Sequence, residues 1–202
     1  PTPSSAASDV YKRQGEILFR TRLSENLFKG LSPWMQKLPG GLIHVNVVGC
    51  ALFAAISGSS AATVATVGKM SIPELRKRNY PEKILLGSLA GSGTLGLLIP
   101  PSIILIIYGV AVQESIAKLF IAGILPGIMI ALIFMSYVIF WSLINKKQMP
   151  KIVEEYSIFE KIKRSKQLLP VIFLISAVIG SIYTGIATAT EAASLGVVGA
   201  LI

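Results

Sequence analysis

The chain has 202 residues, of which 52% are hydrophobic and only 14% are charged, with a mean hydropathy of +0.68. Soluble domains carry about 25% charged residues, so this composition argues against a soluble protein. The net charge of +9 lies mainly in polar stretches between apolar blocks, which is typical of cytoplasmic loops in membrane proteins. A nucleic-acid-binding protein would need a basic face on a folded module, and no stretch here is long enough to form one. We therefore predict an all-α, polytopic membrane protein.

The beginning of the chain differs in composition from the rest. Residues 1–14, PTPSSAASDVYKRQ, are small and polar, show no periodicity and resemble a translated sequencing adapter, so we interpret them as a non-native head. Residues 15–40 mix apolar and basic positions and predict an amphipathic helix at the membrane interface. The sequence Pro39-Gly40-Gly41 is expected to end this segment.

Two apolar runs follow, at residues 42–56 and 61–67, and both are too short to cross about 30 Å of hydrocarbon. Because basic residues flank the pair on both sides, the sequence predicts a re-entrant helical hairpin over residues 41–68. Its tip would consist of Ser57, Gly58, Ser59 and Ser60. Irregular backbone at membrane depth must be buried in protein or line a wet cavity, so the tip is a candidate ion or substrate contact. Serine and glycine are equally ordinary at tight helix contacts, which leaves a packing role open.

The next apolar block, residues 84–112, contains several glycines and then Pro100-Pro101 at its centre. Proline removes a backbone donor and disfavours helix at the preceding residue. The block therefore predicts a discontinuous transmembrane helix, of the kind whose unwound carbonyls contact ions in secondary transporters. Residues 91–96 also match GxGxxG, but no βαβ unit surrounds them, so we reject a dinucleotide site.

The remaining segments alternate between polar and apolar. Residues 69–83 predict a basic loop and residues 113–118 a nearly neutral one, and a span is expected over 119–144. Residues 145–167 predict a basic, amphipathic cytoplasmic linker. Residues 168–202 predict a further span and the start of another element.

Three single residues stand out in apolar sequence, and two of them have more than one interpretation. His44, the only histidine, is either an entry residue or a packing residue, and Cys50 is expected to pack in the interior. Glu191 is either a functional intramembrane acid or a residue that stabilises a helix start after Thr188 and Thr190.

Four stretches resemble, in the same order, the large membrane subunit of tripartite ATP-independent periplasmic (TRAP) transporters, the DctM-like permeases. They read GGLIHVNVVGCALFAAISGSSAATVATVG, GSGTLGLLIPPSIILIIYGV, KLFIAGILPGIMIAL and TATEAASLGVVGAL. The resemblance runs from about residue 40 to the end and corresponds to roughly the middle half of a complete subunit. Ala189 stands where the family usually has proline, which leaves a local break near that residue uncertain.

The resemblance implies an ion-transporter-like fold with two inverted repeats, of which this chain would hold the first and the start of the second. It implies a permease rather than an enzyme, which imports organic acids such as C4-dicarboxylates or sialic acid by an elevator motion driven by sodium. It further implies a small DctQ-like membrane subunit and a periplasmic DctP-like binding protein as partners. The expected location is the inner membrane of a bacterium or archaeon, with Na⁺ as coupling ion and no other cofactor.

The resemblance also implies a sodium site between the hairpin tip and the helix break. Carried onto this sequence, the positions are Ser57, Gly58, Ser59, Ser60, Gly91, Gly93, Thr94, Pro100 and Pro101, with Asn46 as a weaker candidate. The ion would lie near Ser57, Ser59, Gly93 and Thr94. Carbonyl and hydroxyl oxygens suit such a cation, and no carboxylate is required.

Other functions stay open on the residues alone. They are another carboxylate or anion symporter of the same superfamily, a channel, an intramembrane hydrolase that uses His44, and a structural membrane subunit. The hydrolase would lose its chemistry, but not sodium binding, when His44 is replaced. A structural subunit would tolerate alanine at Ser57, Ser59 or Thr94.

Overall fold

The computed structural model describes residues 23–150, 156–186 and 191, and all regular secondary structure within them is helical. This confirms the all-α prediction for that part of the chain. The predicted head 1–14 and most of the predicted second repeat, including Ala189, lie outside the described residues. In chain order the α-helices are α1 (Leu23–Met35), α2 (Ile43–Ser57), α3 (Ser60–Lys77), α4 (Glu82–Gly93), α5 (Ile103–Val112), α6 (Ile116–Ile144), α7 (Ile158–Ser165) and α8 (Leu169–Tyr183). Short 3₁₀ helices lie at Thr94–Leu97, Lys146–Gln148 and Lys166–Leu168.

Helices α2 and α3 form a hairpin joined by Gly58 and Ser59. Gly58 has φ 60° and ends α2 in the left-handed conformation that glycine adopts without steric cost. Its backbone N–H donates to the Ala54 carbonyl at 2.9 Å, which satisfies one of the carbonyls left open at the helix end.

Helix α3 continues well beyond the apolar run, to Lys77. The prediction of a loop from residue 69 onward is therefore wrong for residues 69–77, which are helical. The physical reason is a buried face: Val67, Ser71 and Leu75 recur at four-residue spacing and are all buried. The basic side chains of the segment lie outside this face.

The main hydrophobic core lies between the hairpin, α4 and α1. Phe53 of α2 and Leu85 of α4 are completely buried there, and Leu27 and Leu31 of α1 pack into the same cluster. Helix α1 thus lies against the hairpin with one apolar side, as expected for an amphipathic helix. Val171 of α8 reaches the same core, so the hairpin contacts helices from both ends of the described chain.

The polypeptide between α4 and α5 is broken as the proline pair predicts. After α4 the chain forms the 3₁₀ helix, leaves helical structure around Pro100 and Pro101, and resumes as α5 at Ile103. Helix α6 lies along this break. A Cβ atom on Gly123 would lie 2.8 Å from the Leu98 carbonyl oxygen, so a small residue is needed for the helix to approach this closely.

Two continuous helices, Ile116–Ile144 and Ile158–Tyr183, are long and apolar enough to cross a membrane. Most of their large apolar side chains are exposed in the isolated chain, for example Leu125 at 76% and Phe173 at 75%, as lipid-facing residues would be. Helix α6 starts earlier than predicted, which reduces the loop at 113–118 to a turn at 113–115. The last part of the predicted linker 145–167 is helical and runs into the span without interruption.

Candidate functional site

The hairpin tip and the helix break are in direct backbone contact. The Ile103 N–H donates to the Gly58 carbonyl oxygen at 3.3 Å. A Cβ atom on Gly58 would lie 2.5 Å from the Pro101 carbonyl oxygen, and one on Gly96 would lie 2.8 Å from the Ser60 nitrogen. The two stretches singled out in the sequence therefore meet, and glycines on both sides make the close approach possible.

Buried hydroxyl groups gather at the tip. The Ser57 and Thr63 hydroxyl oxygens are 2.9 Å apart, and both residues are fully buried. The Ser59 N–H donates to the Ser57 Oγ at 3.4 Å. Ser60 Oγ is buried and has no hydrogen-bond partner among the described residues. A buried oxygen left without a partner is unfavourable, so a ligand that Ser60 could bind would stabilise this arrangement.

Four helix ends converge on this contact. Helix α2 ends at Ser57 and the first 3₁₀ helix ends at Leu97, so both present carbonyl oxygens. Helices α3 and α5 begin at Ser60 and Ile103, so both present N–H groups. Partial negative charge from two helix C-termini and partial positive charge from two N-termini therefore lie close together.

The glycines of the GxGxxG stretch face different neighbours. A Cβ atom on Gly93 would overlap the Val64 side chain of α3, so Gly93 faces the hairpin. One on Gly91 would lie 3.2 Å from Phe134 of α6, so Gly91 faces away from the tip. Thr94 is exposed, and its hydroxyl donates to the Gly91 carbonyl at 2.7 Å.

The two prolines also contact different neighbours. The Pro101 carbonyl lies against Gly58 of the tip, whereas the Pro100 ring is 3.5 Å from the position a Cβ on Gly123 of α6 would occupy. Both prolines are buried. Pro101 therefore places its backbone oxygen beside the tip, and the Pro100 ring faces α6.

Asn46 is far from the tip, contrary to its inclusion among the candidate positions. Its Nδ2 donates to the Leu85 carbonyl at 3.2 Å and to Ser88 Oγ at 3.0 Å, both on α4. It precedes Ser57 by eleven residues of α2, which corresponds to about 16 Å along a helix. Asn46 therefore belongs to the α2–α4 interface.

The structure also describes the surroundings of His44 and Cys50. His44 is fully buried near the start of α2, and its Nε2–H donates to the Pro39 carbonyl at 2.8 Å, as a packing residue would. Cys50 is completely buried, as predicted. Glu191 is helical and exposed, but the residues on either side of it lie outside the described ranges.

Sequence reasoning missed three residues of this contact: Thr63, Gly96 and Ser102. Thr63 lies one turn after the predicted tip, and Gly96 was visible only as the last glycine of the rejected nucleotide pattern. Ser102 is fully buried in the break, where its hydroxyl donates to the Leu97 carbonyl at 2.7 Å. Its position directly after Pro101 was the available signal.

A helical hairpin that meets a broken helix, in a chain with long apolar helices, is typical of membrane transporters. Residues 13–202 match the family model of the tripartite ATP-independent periplasmic transporter, DctM component. The chain belongs to this family of large membrane permeases.

Relatives of this chain support the same assignment. The C4-dicarboxylate TRAP transporter large permease protein DctM of Pseudomonas aeruginosa is 40% identical over 79% of this chain and 36% of its own length. The ectoine/5-hydroxyectoine TRAP transporter large permease protein UehC of Ruegeria pomeroyi is 33% identical over 93% of this chain and 43% of its own length. The sialic acid TRAP transporter permease protein SiaT of Haemophilus influenzae is 34% identical over 93% of this chain and 30% of its own length. The chain thus spans less than half of each relative, and all three are named as TRAP transporter permease proteins.

Proposed function

We propose that this chain supplies the first half of the ion-coupled transport site in a sodium-driven importer of organic acids. The observation that carries the proposal is the hydrogen bond between Gly58 of the hairpin tip and Ile103 of the broken helix. It joins two irregular backbone segments within apolar sequence, and such segments are tolerated at membrane depth where they are buried in protein or line a wet cavity.

The sodium ion would bind where neutral oxygens are concentrated. Ser57, Thr63 and Ser60 offer hydroxyl oxygens, and the C-terminal ends of α2 and of the 3₁₀ helix offer carbonyl oxygens. Among the described residues, no group of three or more His, Cys, Asp or Glu side chains could hold a metal ion, so a site here would use neutral oxygens. Secondary transporters bind Na⁺ with unwound carbonyls and helix C-termini of this kind.

The substrate carboxylate would bind where partial positive charge is concentrated. Helices α3 and α5 begin at the contact, and their N-termini carry the partial positive charge that stabilises a carboxylate. Binding of Na⁺ between the tip and the break would fix the positions of these two N-termini. This arrangement gives a physical basis for coupling sodium binding to substrate binding. The bound ion already orders the substrate site, so the substrate loses less free energy to ordering when it binds.

The remaining parts of the proposal follow from the family. Large permeases of this kind are one component of a tripartite system, so we propose a small membrane subunit and a periplasmic binding protein as partners. We further propose an ion-transporter-like fold of two inverted repeats, an elevator motion of the hairpin-bearing domain, and residence in the bacterial or archaeal inner membrane. Relatives are named for C4-dicarboxylate, sialic acid and ectoine, so the imported compound is proposed only as a carboxylate-bearing organic acid.

The proposal is tested by uptake of a carboxylate substrate as a function of sodium concentration, in the complete permease that contains this sequence, with its partner proteins. Alanine at Ser57 should raise the sodium concentration needed for half-maximal uptake, whereas alanine at Ser136 should not. Ser136 is a matched control because its hydroxyl bonds the Leu132 carbonyl on the exposed side of α6. Equal sodium dependence in both variants would favour the structural-subunit interpretation.

A further inference from the structure

A second polar site lies at the opposite end of the hairpin from the tip. A cavity of about 420 Å³ opens between residues 36–41, Tyr80 and the C-terminal end of α6. Residues 36–41 connect α1 to α2, and Gly40 and Gly41 in this connection have φ angles of 102° and 54°. These left-handed conformations bend the chain around the cavity and favour glycine.

The charge of the cavity is positive. Lys37 and Lys146 both line it, one on the α1–α2 connection and the other just after α6. Both lysines are exposed to the surroundings of the isolated chain. No carboxylate among the described residues lines the cavity, so it is complementary to an anion.

The inner wall of the cavity also offers polar groups. Ser142 lines it, is only 4% exposed, and its hydroxyl has no hydrogen-bond partner among the described residues. The Tyr80 hydroxyl accepts the Leu42 N–H at 3.0 Å and keeps its own proton available for donation. Two hydroxyl groups and two ammonium groups therefore surround one space.

The outer edge of the cavity is continuous with an apolar helix face. Leu143 lines the cavity and is 47% exposed, and Phe140 one turn earlier on α6 is 66% exposed. Because α6 is long enough to span a membrane, these side chains face acyl chains when the protein is embedded. Lys146 lies two residues after the end of α6, at the level where headgroups lie.

We propose that this cavity binds the phosphate headgroup of an anionic phospholipid, whose acyl chains lie along α6. The two lysines neutralise the phosphate, the Ser142 and Tyr80 hydroxyls hydrogen-bond its oxygens, and the Leu143 side of the cavity admits the glycerol and acyl chains. A free phosphate would use the same cationic groups, but it would gain nothing from the apolar edge. The site is independent of the sodium contact at the hairpin tip.

The experiment measures lipid retention by the complete permease, purified in detergent and examined by native mass spectrometry after exposure to phosphatidylglycerol or phosphatidylcholine. The wild-type permease should retain phosphatidylglycerol in preference to phosphatidylcholine. The double variant Lys37→Gln/Lys146→Gln should lose this preference by about 25-fold, since each lysine near an anionic lipid surface contributes about fivefold. Lys37→Arg/Lys146→Arg should retain the lipid.

The matched control is Lys163→Gln/Lys166→Gln, which removes the same charge from exposed positions on α7 and the following 3₁₀ helix. If this control loses phosphatidylglycerol as strongly, only general surface charge is acting and the site is refuted. Equal retention of phosphatidylcholine in the wild type would also overturn the proposal. Displacement of the lipid by millimolar inorganic phosphate would instead identify a free-anion site and contradict a lipid site.

Discussion

The carbonyl oxygen of Gly58, at the hairpin tip, accepts a hydrogen bond of 3.3 Å from the backbone N–H of Ile103, where the broken helix resumes. The two residues are 45 positions apart and belong to separate irregular segments. Their contact fixes the tip of the α2–α3 hairpin against the break between α4 and α5. The proposed ion site depends on this relationship, because the oxygens it requires come from both segments.

Replacing Gly58 by alanine should separate the tip from the break. The left-handed conformation costs a non-glycine residue roughly 1–2 kcal/mol, and the added Cβ would meet the Pro101 carbonyl oxygen at 2.5 Å. We expect a lower melting temperature and loss of sodium-dependent uptake in the complete permease. Gly87→Ala is the control, because a Cβ there would find no atom within 4 Å and alanine favours helix. Comparable losses in both variants would show that the effect of Gly58→Ala is not local to the tip.

Replacing Gly96 by alanine tests the other side of the contact. Its Cβ would lie 2.8 Å from the Ser60 nitrogen and 3.0 Å from the Ser59 carbonyl carbon, and backbone atoms cannot give way as a flexible side chain can. We expect a substantially higher sodium requirement for uptake, with the protein still expressed and folded. Gly180→Ala should have no effect, since its surroundings are open. An unchanged sodium requirement for Gly96→Ala would place the ion elsewhere.

The Ser57–Thr63 hydroxyl pair should act as one unit. Ser57→Ala leaves the Thr63 hydroxyl without this partner, and Thr63→Val leaves Ser57 with only its longer contacts to Ser59. We therefore expect each to raise the half-maximal sodium concentration about tenfold. The double variant should be less impaired than the product of the two effects, because both singles remove the same interaction. A double-mutant cycle on sodium-dependent uptake measures this coupling. Strictly multiplicative effects would mean that the two hydroxyls act separately.

Asn46 should contribute to the stability of the fold rather than to sodium binding. Asn46→Ala removes the bonds to Leu85 and Ser88 in a fully buried interface, which we expect to cost about 1–3 kcal/mol of unfolding free energy. The half-maximal sodium concentration should stay close to that of the wild type. Thermal unfolding and uptake, measured on the same preparation, separate the two effects. A sodium defect as large as that of Ser57→Ala would return Asn46 to the ion site.

The sequence predicted the structure correctly where local residue preferences allow few backbone conformations. Two apolar runs too short to span the membrane, joined by serine and glycine, predicted the hairpin, and Pro100-Pro101 predicted the break. It could not assign Gly91 and Gly93 to different neighbours, because two helical residues differ by about 200° in direction and the rotation of α4 depends on tertiary packing. The helical continuation of α3 was obscured by its basic residues, although Val67, Ser71 and Leu75 carried the period of a buried face.

The most direct test of the central claim is the melting temperature of the complete permease as sodium concentration increases at constant ionic strength, with potassium as the balancing ion. Sodium that binds only the native state raises stability by RT ln(1 + [Na⁺]/Kd), and no transport needs to occur. We predict that sodium raises the melting temperature of the wild type and of Ser136→Ala. We predict that the double variant Ser57→Ala/Thr63→Val needs at least about tenfold more sodium for the same rise. If the double variant is stabilised by sodium as strongly as the wild type, the ion does not bind at the hairpin tip.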